Sequence, residues 1–333
     1  MSLVTYNGMR WLPGCLASLD SQEFADFDIT IHDNGSWDAS PSLLGEWAAG
    51  RTDVSLHLSP TNLGYPAAHN RAIRAARGEF VLLLNQDVEL DPGFLAAVVA
   101  AFDAHPEAGS VQPRLRELAG PGQRLETLDT TGLLMGRDRR AVSRGQGQPD
   151  GTEHRQAGPV WGVDGPAPVY RMAALQQARL PRGDGTWEVL DEDFFLYKED
   201  VDLAWRMRLL GWSAWYEPAA LGWHGRGSGA TGATSMLDIA RTNRRVGSRV
   251  RRLSWRNQRL MQIKNEDLGS YLRDLPWIAR REVMSLLFIL WNDPGDLAAV
   301  IDLANSAPRS MRKRRVLWSR IQADRGSLHA QVR

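Results

Sequence analysis

Apolar residues in the first hundred positions alternate between strand-like runs and helical spacing. "LVTYN" reads as a strand, and "MRWLPGCLASLDSQ" carries its apolar residues at helical intervals, with Pro13 near the start. "DITIHDNGS" is a second strand ending in turn formers. "SPSLLGEWAAG" is a second helix, with Ser40 as N-cap, Pro41 at the first helical position and Gly50 after its end. "VSLHLSP" and "YPAAHNRAIRAARG" give a third strand and a third helix, the latter closed by Gly78. "FVLLLN" and "PGFLAAVVAAFDAHP" give the fourth pair. Repeated β-α units of this length predict a parallel sheet with helices on both faces. The fourth strand is continuously apolar, as a central strand should be, and stops abruptly on Asn85, Gln86 and Asp87. Open α/β sheets bind ligands beyond the carboxyl ends of such strands, so Asp87 stands where chemistry would be placed. An aspartate is also an ordinary strand-ending turn residue.

The pattern weakens after residue 108. "GSVQPRL" is strand-like, whereas "GRDRRAVSRGQGQPDGTEH" reads as a mobile loop or lid. "VWGVDGPAPVYRMAAL" reads as a strand entering a helix. "DEDFFLYKEDVDLAWRMRLLGW" ends as a helix, with Val201, Ala204, Trp205, Arg208 and Leu209 on one face. "SAWYEP" and "ALGWHG" are short strands. "GRGSGATGAT" reads as a flexible linker, and from about residue 236 the chain reads as wholly helical and strongly basic.

Composition narrows the function. Of 333 residues, 43% are apolar, enough for a real core, and the net charge of +1 gives no global field to recruit nucleic acid. Cys15 is the single cysteine, which excludes an intramolecular disulfide and a cysteine metal cage and fits a reducing cytoplasm. The apolar run at 286–291 is far too short to cross a bilayer. A cytoplasmic protein, peripheral at most on the inner face of a membrane, is expected.

"VTYNG", "DNGSWDAS", "NLGYPAAHNRAI" and "NQDVEL" line up at strand ends. Together they resemble the nucleotide-binding half of a family 2 glycosyltransferase of the GT-A fold, and "DEDFFLYKEDVDLAWRMRLLGW" resembles the second half. Within that family the pattern looks most like the rhamnosyltransferases of bacterial polysaccharide and cell-wall synthesis. The expected fold is α/β, a mixed, mostly parallel GT-A sheet with helices on both faces. It divides into a catalytic domain at 1–227 (nucleotide-sugar half 1–108, acceptor half 109–227) and a basic helical region at 228–333. The expected activity is transfer of a sugar, L-rhamnose by the resemblance, from a UDP- or dTDP-sugar to a saccharide or lipid-linked acceptor.

The resemblance puts Thr5, Tyr6 and Asn7 against the nucleotide. Asp33 ends the second strand, where a carboxylate can accept the imide N–H of uracil or thymine. "DNGS", with Asn34 and Ser36, is also simply a tight turn. Asn62 and Gly64 sit in a loop, where glycine lets backbone approach a nucleotide closely. Asn70 lies one helical layer deeper, and His69 reads as a helix-surface residue. Asn85-Gln86-Asp87 occupies the family's Asp-any-Asp position: Asn85 can bond a ribose hydroxyl while Asp87 holds Mg²⁺ or Mn²⁺, ions that take oxygen ligands and share themselves with phosphates. Glu89 is a second-choice ligand. His224 is either another ligand or a packed loop histidine.

Inverting transfer needs a base to take the acceptor's hydroxyl proton. Adjacent carboxylates raise one another's pKa, which suits Glu199-Asp200. The resemblance makes Asp200 the base and Glu199 its neighbour. These acids also complement the helix dipole, and Asp202 with Arg206 makes an ordinary i,i+4 pair. Trp161, Gly162 and Asp164 match the family's acceptor-side strand, where Trp161 could stack on a sugar and Asp164 hold a hydroxyl; packing roles are equally open. Asp191, Glu192 and Asp193 crowd the same side. The Arg- and Trp-rich C-terminal helices are either a solvated face, a contact with an anionic membrane surface or a homodimer contact. A nucleotidyltransferase, or a nucleotide-sugar-binding scaffold descended from a transferase, are the competing readings.

Overall fold

The computed structural model describes residues 1–225, 247–292 and 294–321. Its first half follows the expected alternation: β1 (Ser2–Thr5), α1 (Leu12–Asp20), β2 (Ile29–Asp33), α2 (Ser40–Ala48), β3 (Val54–Leu58), α3 (Tyr65–Ala75), β4 (Phe80–Asn85), β5 (Val88–Leu90) and α4 (Phe94–Ala104). The four strands β1 to β4 run parallel, in the order β4-β1-β2-β3. Register places Leu3 beside both Ile31 and Leu84, a fully buried apolar row. It equally aligns Thr5 with Asp33 and Val4 with Asn85, so the polar strand ends share one edge. Alternation along β4 explains its unbroken apolar run. Leu82 and Leu84 pack with α1 and α4, while Val81 and Leu83 pack on the opposite face with Ile73 of α3.

The second half completes the sheet with β6 (Ala108–Gly120), β7 (Gln123–Thr130), β8 (Leu133–Met135), β9 (Ala141–Ser143), β10 (Gly158–Val160), β11 (Val169–Arg171), α5 (Met172–Ala178), β12 (Leu180–Pro181), β13 (Trp187–Glu188), α6 (Glu199–Leu209) and β14 (Ser213–His224). The ten-stranded sheet runs β10-β14-β6-β11-β4-β1-β2-β3, with β5 on β14 and β7 on β6; β11 is antiparallel to its neighbours. The two short strands expected around residue 218 are one strand, β14, whose register shifts between Glu217 and Leu221. Pro218 lies within that break, since proline cannot donate to the ladder.

The expected lid at 136–154 is tied down instead. β9 pairs with β8, Thr127 bridges Pro149, and Asp150 binds Arg114 and Arg116. Arg139 is buried and pairs with Glu266 and Asp274 of the C-terminal helices. The glycine-rich linker expected at 225–234 falls, from Arg226 onward, outside the described residues.

Three helices follow: α7 (Ser248–Asn265), α8 (Leu268–Asn292) and α9 (Ala298–Trp318). They dock through buried charge. Lys264 of α7 is fully buried and pairs with Asp191 and, at 2.9 Å, with Asp202. Asp202 also holds Arg206 at 2.9 Å, both fully buried, so this is not the ordinary surface pair expected from i,i+4 spacing. Lys313 of α9 pairs with Glu188, Asp191 and Asp193 at 2.5, 2.5 and 2.8 Å. Burial opposes the charge on Asp191, yet Lys264 and Lys313 hold its carboxyl well below the usual range.

Lys264→Met removes a cation from between two buried carboxylates, and breaking such a group costs about 3–5 kcal/mol. Denaturant unfolding at neutral pH should show that loss; a loss under ~1 kcal/mol would mean Asp191 and Asp202 are not dependent on the ion pair.

Candidate active site

The loops beyond β1, β2 and β4 are locked to one another. Gln86 Oε1 accepts from the Thr5 hydroxyl at 2.5 Å and the Tyr6 N–H at 2.9 Å. The Ser36 hydroxyl accepts from the Asn7 N–H at 2.8 Å, and Asn7 Oδ1 accepts from the Trp37 N–H at 3.0 Å. Asn34 Oδ1 accepts from Leu63 N–H and Asn62 Oδ1 from Gly64 N–H, tying the third loop to the second. Tyr6 is exposed over this rim. Asn85 Oδ1 is buried with no hydrogen-bond partner among the described residues.

Asp87 follows directly, half-buried, with its backbone carbonyl accepting from the Gly225 N–H at 2.7 Å. Antiparallel pairing of β5 with β14 sets His224 opposite Val88. This brings His224 Nε2 to 3.4 Å from Asp87 Oδ1. The other ring nitrogen, Nδ1, lies 2.9 Å from Oδ2 of Asp129, a fully buried carboxylate at the end of β7. Burial disfavours charge on the imidazole, but Asp87 and Asp129 outweigh it and raise its pKa to about 10. Among the described residues no group of three or more His, Cys, Asp or Glu side chains could hold a metal ion. The Asp87–His224 pair offers two protein ligands.

The acid pair opens α6. Burial, then the charge of Asp200, raises Glu199 to about 8. Burial, then Asp164, raises Asp200 to about 6. Asp164 and Asp200 both accept from the Gly165 N–H, at 3.0 and 3.1 Å, which holds two carboxylates at one donor. Glu199 Oε2 is buried without a hydrogen-bond partner among the described residues. Tyr65 joins the two ends of the site. Its hydroxyl donates to the Gly165 carbonyl at 3.1 Å, and its pKa is raised by burial and by Glu199, Asp200 and Asp87 together. The carboxylate–histidine pair and the acid pair thus both lie close enough to Tyr65 to act on its charge.

A family profile described as "Glycosyl transferase family 2" matches residues 3–160. A curated relative, "N-acetylglucosaminyl-diphospho-decaprenol L-rhamnosyltransferase" of Mycobacterium tuberculosis, is 30% identical over 248 residues, spanning 65% of this chain and 72% of the relative. The chain belongs to glycosyl transferase family 2. Two solved structures share the fold. The structure "GalNAc-T7 with UDP, GalNAc and Mn2+" has a TM-score of 0.58 at 12% identity, over 79% of this chain and 47% of that one. "Mannosyltransferase PcManGT from Pyrobaculum calidifontis in complex with GDP-Man and Mn2+" has 0.50 at 16%, over 96% and 84%. This family 2 glycosyltransferase accordingly carries the mixed, mostly parallel sheet expected from its strand pattern, and the nucleotidyltransferase alternative is set aside.

Several residues expected to touch substrate have structural contacts in the glycosyltransferase's frame. Asp33 is almost wholly buried: Oδ1 accepts from Gly35 and Ser36 N–H and Oδ2 from the Ser36 hydroxyl, so the carboxylate shapes its own turn. Gly64 does need its freedom, with φ at 85°, but the backbone it approaches is that of Phe195; an added Cβ would lie 2.7 Å from Phe195 O. Asn70 is fully buried and clamps Val189 to Glu192 through four hydrogen bonds. His69 is not a surface residue: it is fully buried, bonded to Ser2 Oγ at 2.7 Å, and burial lowers its pKa to about 3. Glu89 is held by Gly122 and Arg124, away from a metal role. Trp161 is a core residue packed against Trp205 and Phe194, and Gly162 admits Ala204, whose Cβ would lie 2.6 Å from an added Cβ. Asp191 and Asp193 hold the C-terminal helices by ion pairs, and Glu192 bonds Asn70 and Arg182.

Three positions that contact the candidate site carried no legible signal: Asp129, Tyr65 and Asn257. Asn257 of α7 is fully buried, and its Nδ2 lies 2.9 Å from each of the Phe194, Leu196 and Tyr197 carbonyls. This loop contains Phe195, Tyr197 and Lys198 at φ of 64°, 71° and 74°, conformations that cost L-residues about 1–3 kcal/mol each and persist only when surroundings enforce them. It delivers Glu199 and Asp200. Asn257→Ala is therefore expected to lower kcat by roughly 10²-fold, through misplacement of the acid pair, with donor KM unchanged. Steady-state kinetics decide this: a raised KM at constant kcat would assign the loop to donor binding instead.

Proposed function

We propose that this transferase is an inverting, metal-dependent enzyme that moves a sugar, L-rhamnose, from a nucleoside-diphosphate donor to a hydroxyl of a lipid-linked saccharide in cell-surface polysaccharide synthesis. The observation that carries the reading is the convergence, around Tyr65, of a base-competent acid pair and the Asp87–His224 pair. The sugar and the acceptor class come from the name of the mycobacterial relative. The pyrimidine donor is part of this proposal: Asp33, which ends β2 and also shapes its own turn, would accept the imide N–H of the base. On this reading the enzyme works at the cytoplasmic face of a membrane, and no helix among the described residues is long and apolar enough to cross one.

The site's residues fit a divalent cation. Asp87 would supply a carboxylate oxygen and His224 its Nε2, with Asp129 fixing the ring through Nδ1, an arrangement that orients the imidazole and raises its basicity. A bound Mg²⁺ or Mn²⁺ would neutralise charge on the leaving diphosphate. Asn85, Gln86, Thr5, Tyr6, Asn7, Asn34, Ser36 and Asn62 form the rim on which the nucleotide would sit. Burial raises both carboxyls, Glu199 to about 8 and Asp200 to about 6, so the pair titrates together near neutral pH, where one of its members can accept a proton. Asp200 takes the proton of the acceptor hydroxyl. That oxygen bonds to the anomeric carbon from the side opposite the diphosphate, which departs with the electron pair of the broken C–O bond, and configuration inverts. Asp164, bonded to the Ser143 hydroxyl at 2.5 Å, adjoins this pair on the acceptor side.

Asp200→Asn keeps shape and removes basicity. Transfer should fall ~10²- to 10⁴-fold while nucleoside-diphosphate binding, read by thermal shift, persists. In the parent enzyme kcat/KM should decline as pH drops through about 6, because protonation of Asp200 removes the base. An Asp200→Asn enzyme with parental single-turnover rate, beside an inactive Glu199→Gln, would move the base to Glu199; activity in both would end the inverting proposal.

Asp129→Asn should weaken Mn²⁺-dependent nucleotide binding ~10- to 100-fold without touching the nucleotide. Titration calorimetry with and without Mn²⁺ checks this, and unchanged Mn²⁺ dependence would place the cation elsewhere.

A further inference from the structure

α8 is amphipathic in the inverted sense. Its inward face carries the buried Asp274, Ile278 and Ile289. Outward, Leu268, Leu272, Val283, Leu287, Leu290 and Trp291 are each more than half exposed. At about 100° per residue, the first five fall within an arc of about 100°, the width that a globular protein normally turns toward its core. Arg273 and Arg280 border this stripe, both exposed, and Trp291, at 85% exposure, lies on the same border. No Asp or Glu of α8 is exposed: Asp274 is buried against Arg137 and Arg139, and Glu282 pairs with Arg259 and Arg281. Contiguous exposed apolar residues rimmed by charge mark an interaction surface.

Charge selects the partner. Residues 1–246 hold 23 Lys and Arg against 31 Asp and Glu, whereas residues 247–333 hold 17 against 8. The acidic half contains the site and the basic half contains the stripe. Self-pairing of two copies along α8 would bring arginine borders together with no exposed acid on that helix to answer them. An anionic lipid surface answers them, and it takes leucine and tryptophan into the boundary between headgroup and chain while arginines stay with the phosphates. With its arginines the helix cannot cross a bilayer, so it would lie in the interface plane.

We propose that α8 docks the protein on an anionic membrane surface through this stripe. The docking deepens the lipid-linked-acceptor reading but stands on the helix surface and charge distribution alone. Its test is flotation of the full-length protein with vesicles of phosphatidylglycerol and phosphatidylcholine, against phosphatidylcholine alone, beside light scattering for oligomeric state and thermal shift for nucleoside-diphosphate binding. The parent should float with the anionic vesicles and lose binding as salt rises. Leu287→Glu with Leu290→Glu, and separately Arg273→Glu with Arg280→Glu, should each weaken flotation on the order of tenfold, with melting temperature and nucleotide binding unchanged. Failure of the parent to float, or flotation of both double variants at the parent's level, overturns the proposal. So does a stripe variant that converts a dimer to a monomer while still floating, because the stripe then belongs to a second copy. A parent protein that floats but binds no nucleoside diphosphate would instead count against the transfer reading and leave docking standing.

Discussion

A buried ammonium has to be paired, and Lys264 is paired twice. It joins Asp191, at the start of the loop that delivers the acid pair, to Asp202, three residues into the helix that follows it. Desolvating such a group costs several kcal/mol unless geometry is close to ideal, so the segment between Asp191 and Asp202 has little freedom once α7 is seated. Lys313 repeats the constraint from α9 through the other oxygen of Asp191. The C-terminal helices therefore support the catalytic loop directly. The left-handed residues at 195, 197 and 198 persist between these ion pairs and the amide of Asn257.

The same principle, charge in a low-dielectric setting, divides the site into two chemical halves. On one side burial, with Asp164 acting on Asp200 and Asp200 on Glu199, pushes both carboxyls upward toward the range where a carboxylate serves as a base at neutral pH. On the other, Asp87 and Asp129 flank His224 and overcome the desolvation that would otherwise keep it neutral. Such a site attracts positive charge at one end and protons at the other. The Tyr65 phenol is influenced by both halves and donates to the Gly165 carbonyl beside Asp200.

Packing explains why several polar or aromatic motif residues are structural. Trp161 and Gly162 lie where α6 crosses the edge of the sheet, and the close approach of Ala204 leaves room only for glycine beneath it. Asn70 and Asn257 serve the same loop from opposite sides, each satisfying backbone groups that no strand or helix pairs. Asparagine suits both places because one amide both donates and accepts.

The sequence by itself determined the β-α alternation, the parallel character of the first sheet and the placing of Thr5, Asp33 and Asn85 at strand ends; the strand order came only with the tertiary structure. Period-two and helical apolar spacing are local properties, and a strand buried on both faces announces itself as an apolar run. It also marked Asp87, His224, Glu199 and Asp200, whose residue types at strand and helix ends are chemically conspicuous. Tertiary structure alone decided what touches them. Asp129 meets His224 across 95 residues and Asn257 meets Phe194 across 63, separations that carry no periodic signal. It likewise decided which polar residues are buried: His69 and Asp202 look like surface positions in one dimension and become core only when β1 and α7 close over them. The outward leucines of α8 read as ordinary helical apolar spacing, and only the docking of its opposite face by buried ion pairs shows which side is left for solvent.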